Sequence, residues 1–509
     1  MVTNSSQDRH QSTMSTEEKL TFKASIPTKA IWPIGCLFDI PTGRYIKGRY
    51  GDNILVGGLA YITGIVGHGN NFKSTIAHYM YGKMAARNVK ASGHIYDTEL
   101  NVDEERVAHL HNSIEEYGIE IDETGMRIGE GIVEQGRLLF TDKSMHQGDE
   151  YFDILRDFLY KKIEDKSTLK GKTPYLNREH TGLTEIPYPT FSLLDSFTEF
   201  STKDVEKMQD ENALGDSGAN MLFMRQGMQK TRFLMTLPST TMAASHYLIM
   251  TAHMGAEFNM DQYNPAPKKL QHLKNNVKIK GVPEKFTFLT QNCWWANGAS
   301  VLSNRSTKGP EYPSDRYDNE RIGSTDLNEV RVQQLRGKFG STGFSLPIIV
   351  SQVEGVQPAL SEFHYIKSAK GFGIQGNDRN YQLELYPEVT LSRTTVRSKI
   401  DEDAKLRRAI NITSEMCQMQ FFWNMAPEYR MSPKELYEGI KELGYDWDML
   451  LQTRGYPCMD HYDRGDRPLS TKDLMDMKLK RYVPFWLKDD EVPQAVKDVP
   501  RTDALAKKK

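Results

Sequence analysis

Gly67-His68-Gly69-Asn70-Asn71-Phe72-Lys73-Ser74 sets glycines, a lysine and a hydroxyl in the order that a nucleotide phosphate requires. In such a loop, backbone N–H groups and the start of the next helix surround the phosphates. The lysine reaches the outer phosphate oxygens, and the following hydroxyl takes Mg2+. Lys73 and Ser74 occupy those two places, and Thr75 continues into the helix. Phe72 stands where the pattern G-x-x-x-x-G-K-[ST] has its second glycine, while Gly67 and Gly69 still permit close backbone approach.

Three more groups follow apolar runs, where ligands collect at the carboxyl ends of strands in an open sheet. Asp195 ends Phe191-Ser192-Leu193-Leu194 and suits Mg2+ held through water. Glu99, after His94-Ile95-Tyr96-Asp97, is placed to orient an attacking water, because phosphoryl transfer depends on positioning and charge stabilisation. Asp97 competes with it, since residues two apart on an extended chain share a face. His253 closes the run from Tyr247 to Ala252 and is a candidate γ-phosphate sensor.

The elements that must carry these residues alternate between strand and helix, which predicts an α/β core with a mainly parallel sheet. Expected strands are Leu59 to Val66, His94 to Asp97, Leu138 to Phe140, Phe191 to Leu194 and Tyr247 to Ala252. Expected helices run from about Asp149 to Lys162 and from Ala219 to Thr236, with Pro238 just beyond. Val330 to Gln334 and Leu346 to Val350 read as an antiparallel pair closing the sheet. A charged helix from Asp401 to about Trp423 opens a C-terminal region.

The chain of 509 residues is long enough for two or three domains. The expected division is a disordered 1–19, a lead-in at 20–57, the core at 58–400 and a smaller, mostly helical region at 401–509. No apolar run reaches the length of a membrane span, and the first 18 residues lack a hydrophobic signal core, so a cytoplasmic protein is expected. The four cysteines form no C-x-x-C, which indicates neither a zinc site nor a disulfide framework. A net charge of −2 gives no global pull toward nucleic acid, so any such contact needs a local basic patch.

The order of the loop from Gly67 to Ser74, Tyr96-Asp97-Thr98-Glu99, Leu193-Leu194-Asp195-Ser196 and Thr251-Ala252-His253 resembles the RecA-type recombinases, most of all those of T4-like bacteriophages. That phage group also has Phe-Lys-Ser at the end of its loop, a Tyr-Asp-x-Glu strand end, and a histidine where the bacterial protein has glutamine. The resemblance covers about residues 20 to 400.

It implies a RecA-like P-loop NTPase core and a DNA-dependent ATPase. Such a protein assembles on single-stranded DNA with ATP and Mg2+ between subunits, and promotes pairing and strand exchange in recombination, repair or replication. Double-stranded DNA, single-strand-binding proteins and loader proteins are further implied partners. The resemblance also implies that Arg336 and Lys338 of one subunit act on the neighbour's γ-phosphate, and that Thr21 to Ile31 docks on an adjacent subunit.

A basic segment after His253, comprising Lys268, Lys269, Lys274, Lys278, Lys280 and Lys285, matches the family's second DNA loop, with Tyr263 or Phe286 able to stack on bases. The matching first loop, about Thr202 to Gly218, is acidic and a poor phosphate contact. A hexameric replicative helicase or a non-catalytic mediator on the same core are the alternatives. About 57 residues ahead of the core are too few for the helical N-terminal domain of such helicases, and Lys73, Ser74, Glu99 and Asp195 speak against a mediator without turnover.

Overall fold

The computed structural model describes residues 30–101, 104–112, 114–117, 120–121, 127–128, 130–211, 219–257, 270–274, 276–320, 325–338 and 341–506. The expectations for residues 1–19, nearly all of Thr21 to Ile31, Tyr263, Lys268, Lys269 and the part of the acidic loop from 212 to 218 lie outside the described residues.

A large mixed sheet organises the chain. Its strands are β1 (Ile62–Gly67), β2 (Ser92–Asp97), β3 (Leu138–Asp142), β4 (Thr190–Asp195), β5 (His246–Ala256), β6 (Val277–Ile279), β7 (Asn292–Val301), β8 (Leu327–Arg336), β9 (Ser345–Ser351) and β10 (Gly355–Val356). The order across the sheet is β10-β9-β8-β7-β1-β5-β4-β2-β3, with β6 added to β5. From β7 to β3 every pairing is parallel, whereas β8, β9, β10 and β6 join antiparallel. The strand-and-helix alternation read from the sequence is therefore an α/β fold with a mainly parallel central sheet.

Strand periodicity explains why both faces are covered. Along β5, Tyr247 and Ile249 enter one apolar cluster while Leu248, Met250 and Ala252 enter the other. The first cluster receives Ile76, Met80 and Met84 from α1 (Lys73–Arg87). The second receives Tyr151, Leu155 and Leu159 from α3 (Gly148–Glu164), and Phe233, Leu234 and Leu237 from α4 (Ala219–Ala243). Burial on both faces is what a parallel sheet needs. The short helix α2 (Glu104–Asn112) packs beside α1.

A third cluster joins Ile40 and Leu55 of the lead-in to C-terminal residues including Met416, Met419, Leu436 and Leu474. Its framework is the antiparallel pair Arg44–Lys47 and Asn53–Val56 packed with α6 (Ala404–Phe422) and the helices Pro433–Glu442 and Thr471–Lys478. Another helix, α5 (Pro358–Ser368), links this region to the sheet.

Several boundaries differ from the sequence reading. α4 does not stop before Pro238 but runs through it to Ala243, with Leu237 and Thr241 buried on either side of the missing backbone donor. The long helix expected from Asp401 to Trp423 is two helices, Val396–Glu402 and α6, since Asp403 accepts from the N–H groups of Lys405 and Leu406 and caps a new start. β5 does not end at His253, because β6 returns alongside it and extends the ladder to Ala256. β7, which was not expected, pairs directly with β1.

Candidate phosphate-binding and catalytic site

Parallel pairing fixes the place of each candidate. His253 on β5 is level with Gly67 on β1, and Asp195 on β4 is level with Asp97 on β2. The carboxyl ends of four neighbouring strands thus bring the candidate phosphate loop, Glu99, Asp195 and His253 to one end of the sheet.

The loop backbone is unusual where the sequence is unusual. Asn70 and Phe72 have φ of 62° and 57°, and a bulky residue seldom adopts the left-handed region. Phe72 is held there by packing its ring against the main apolar cluster. A Cβ on Gly67 would come within 3.2 Å of both the Cβ and the carbonyl oxygen of Ala296, so glycine is needed where β1 meets β7. A Cβ on Gly69 would meet open space, which leaves that glycine's surroundings clear for a ligand. Asn71 Nδ2 donates to Ala296 O at 3.0 Å and ties the loop to β7, while His68 is exposed.

No side chain caps α1 at Phe72, so the N–H groups of its first turn, at Lys73, Ser74 and Thr75, have neither an intrahelical nor a capping partner. Such a terminus favours an anion. Lys73 is 7% exposed and forms no ion pair among the described residues. Ser74 and Thr75 are half-buried beside it.

The structure separates Asp97 from Glu99. Asp97 is 1% exposed, and its carboxylate accepts from the backbone N–H of Glu99 at 2.8 Å, of Leu100 at 3.2 Å and of Asn101 at 2.9 Å. It shapes the turn. Glu99 instead reaches across the strand ends, where His253 Nε2–H donates to its Oε1 at 2.7 Å. That hydrogen bond is the main reason the Glu99 carboxyl lies low, at about 2, with the Lys73 ammonium adding to it and burial opposing it.

Asp195 is buried, and one carboxylate oxygen accepts from the Thr251 hydroxyl. Thr98, whose hydroxyl donates to Ser196 O at 2.9 Å, locks β2 to the end of β4. Sequence reasoning missed both threonines; the signal for Thr251 was its position two residues before His253, on the same side of β5. Among the described residues no cluster of three or more His, Cys, Asp or Glu could hold a metal unaided.

Behind His253 the basic segment is physically attached. Lys280 N donates to His253 O at 2.8 Å, continuing the β5·β6 ladder. Lys274, Lys278 and Lys280 are exposed, and Lys274 lies 5.8 Å over the Trp295 ring. Lys285 Nζ lies 2.8 Å from Met235 Sδ on α4. Phe286 was expected as a base-stacking ring, but it is fully buried under β1, where a Cβ on Gly64 would come within 2.9 Å of it.

Arg336 and Lys338 are not brought to this site within the chain. β8 runs antiparallel to β7, which sets Arg336 level with Cys293 and hence with Gly64, below the loop. Arg336-Gly337-Lys338 therefore leaves the sheet at the end opposite the phosphate loop. Arg336 Nη1 donates to Thr287 O at 2.9 Å, and partial burial lowers its pKa.

Comparison of the sequence with protein-family models and with curated proteins finds no match. No helix among the described residues is long and apolar enough to cross a membrane.

Proposed function

We propose that this chain is a DNA-dependent ATPase of the RecA type, acting as a phage-type recombinase that assembles on single-stranded DNA and promotes pairing and strand exchange. The observation that carries the reading is the convergence, at one end of the sheet, of an uncapped helix start bearing Lys73 with Glu99, Asp195 and His253.

In this reading the loop from Gly67 to Thr75 binds the triphosphate of ATP through its N–H groups, and Lys73 supplies positive charge to the outer phosphates. The donor set fits Mg2+ held mainly by phosphate oxygens, with the Ser74 hydroxyl and, through water, Asp195 completing its surroundings. Such an ion would offset phosphate charge. Glu99 orients the attacking water. While His253 donates to it, Glu99 is a weak base, because its proton affinity lies far below neutral pH. Movement of His253 away from Glu99 would raise that affinity, and His253 shares its backbone ladder with the lysine segment. Contact of Lys274, Lys278, Lys280 and Lys285, with Lys268 and Lys269, to a DNA strand would thereby bear on hydrolysis.

Since Arg336 and Lys338 sit at the far end of their own sheet, a role at the γ-phosphate requires a second copy of the chain. Self-association into a filament follows from the reading. The deciding experiment measures ATP hydrolysis with and without single-stranded DNA and images the particles formed. Stimulated hydrolysis with filaments is expected. Absence of hydrolysis overturns the ATPase reading, and closed rings that unwind duplex DNA overturn the recombinase reading in favour of a helicase.

A further inference from the structure

A cleft of about 720 Å3 lies between the lead-in pair, the residues Lys338, Ser341 and Phe344 between β8 and β9, and the end of α6. We propose that it binds a nucleotide unit, an aromatic base carrying phosphate, independently of the phosphate loop. Its volume is in the range of small-ligand sites. Among the described residues that line it are three cations, Arg44, Lys338 and Lys472, and five aromatic rings, but no carboxylate. In a chain with 67 acidic and 65 basic residues, such a lining favours an anion.

The rings are held in place before any ligand arrives. Trp423 Nε1 donates to Ile40 O at 3.0 Å, and its ring meets Tyr45 edge-on with centroids 5.7 Å apart. Phe344 and Phe422 lie 4.1 Å apart across the wall. Lys472 Nζ sits 3.5 Å over the Tyr429 ring, steered by the buried Asp476 carboxylate at 3.6 Å. Asp476 also accepts from the Tyr429 hydroxyl at 2.6 Å, so ring and cation share one anchor. Fixed aromatic faces beside cations are what a base and its phosphate need. An acidic peptide would use the cations but would leave most of the ring surface unused.

Lys338 extends beyond Arg336 at the end of the sheet away from Gly67, so a ligand in this cleft does not compete for the phosphate loop of the same chain. The unit recognised could belong to a free nucleotide or to a single strand.

The test uses the full chain carrying Lys73→Ala, which silences the loop, and requires no ATP turnover. One arm photo-crosslinks an oligothymidylate containing 5-iodouracil, and the other uses 8-azido-adenosine monophosphate. Attachment to the peptides holding Trp423 or Tyr429 is expected in at least one arm, and the arm that labels identifies the source. Arg44→Glu and Lys472→Glu should each weaken binding of the labelling probe about tenfold. Arg44 is exposed, so its variant keeps the test valid should Lys472→Glu, set against the buried Asp476, fail to fold. No attachment to these peptides, unchanged affinity in both charge reversals, or occupancy by a Glu-rich aromatic peptide that neither probe displaces would each overturn the proposal.

Discussion

Glu99 and Glu362 are both carboxylates withdrawn at least in part from solvent, yet they are pushed in opposite directions. At the loop end of the sheet, Glu99 lies at about 2 because His253 donates to it and Lys73 is near. At the junction with the C-terminal region, Glu362 on α5 is fully buried and rises to about 8; the Asn411 side chain donates to it at 3.0 Å, but desolvation outweighs that bond. Asp39 and Asp52, in the same junction, rise to about 7 for the same first cause. Burial alone favours a neutral acid, and a well-placed donor with a nearby cation keeps the charge. The loop end thus favours the ionised form of Glu99, whereas desolvation in the junction favours the neutral form of Glu362, Asp39 and Asp52.

The sharpest break of this comparison is removal of the cation at the loop end. Lys73→Ala should lower ATP turnover by about two to three orders of magnitude, as loss of a preorganised charge does elsewhere, with the thermal midpoint nearly unchanged. Wild-type turnover in that variant would remove the loop from the chemistry.

Next in size, Glu99→Gln should keep ATP binding and reduce hydrolysis about a hundredfold. Asp97→Ala should instead lose about 1–3 kcal/mol of stability by leaving three turn N–H groups without their acceptor. Thermal melts beside steady-state rates separate the two; abolished turnover in Asp97→Asn with normal turnover in Glu99→Gln would reverse their roles.

The junction is tested by pH. Because the folded Glu362 binds its proton more tightly than the unfolded chain does, its contribution is fully present below about 4.5 and is lost as pH rises through about 8. Glu362→Gln should therefore flatten the decline in urea-unfolding stability between those values. Glu99 has the opposite sign: its contribution is present above about 4.5 and is lost as pH falls through about 2. An unaltered pH profile in Glu362→Gln would show that this acid stays ionised.

The smallest expected effect concerns the lysine segment. Lys278→Ala with Lys280→Ala should lower the slope of log affinity against log salt for single-stranded DNA by about 0.7 for each phosphate that is no longer neutralised. An unchanged slope in the folded variant would place the DNA-binding surface elsewhere.

The loop, five of the six strands of the parallel part of the sheet and the strand-end positions of Glu99 and Asp195 were legible because each rests on local pattern: apolar runs of strand length, glycines, and a lysine opening a helix period. The continuation of α4 through Pro238 was not legible, because burial of Leu237 and Thr241 on either side of the proline outweighs one missing backbone bond. Nor was β7, whose Cys293-Trp294-Trp295 run carries no sign that it would pair with β1 more than two hundred residues earlier. Local composition therefore determined which groups stand at the strand ends and at the helix start. Tertiary structure alone decided that Asp97 turns inward while Glu99 meets His253, and that Arg336 leaves at the opposite end, because strand register and direction are set by pairing between distant segments.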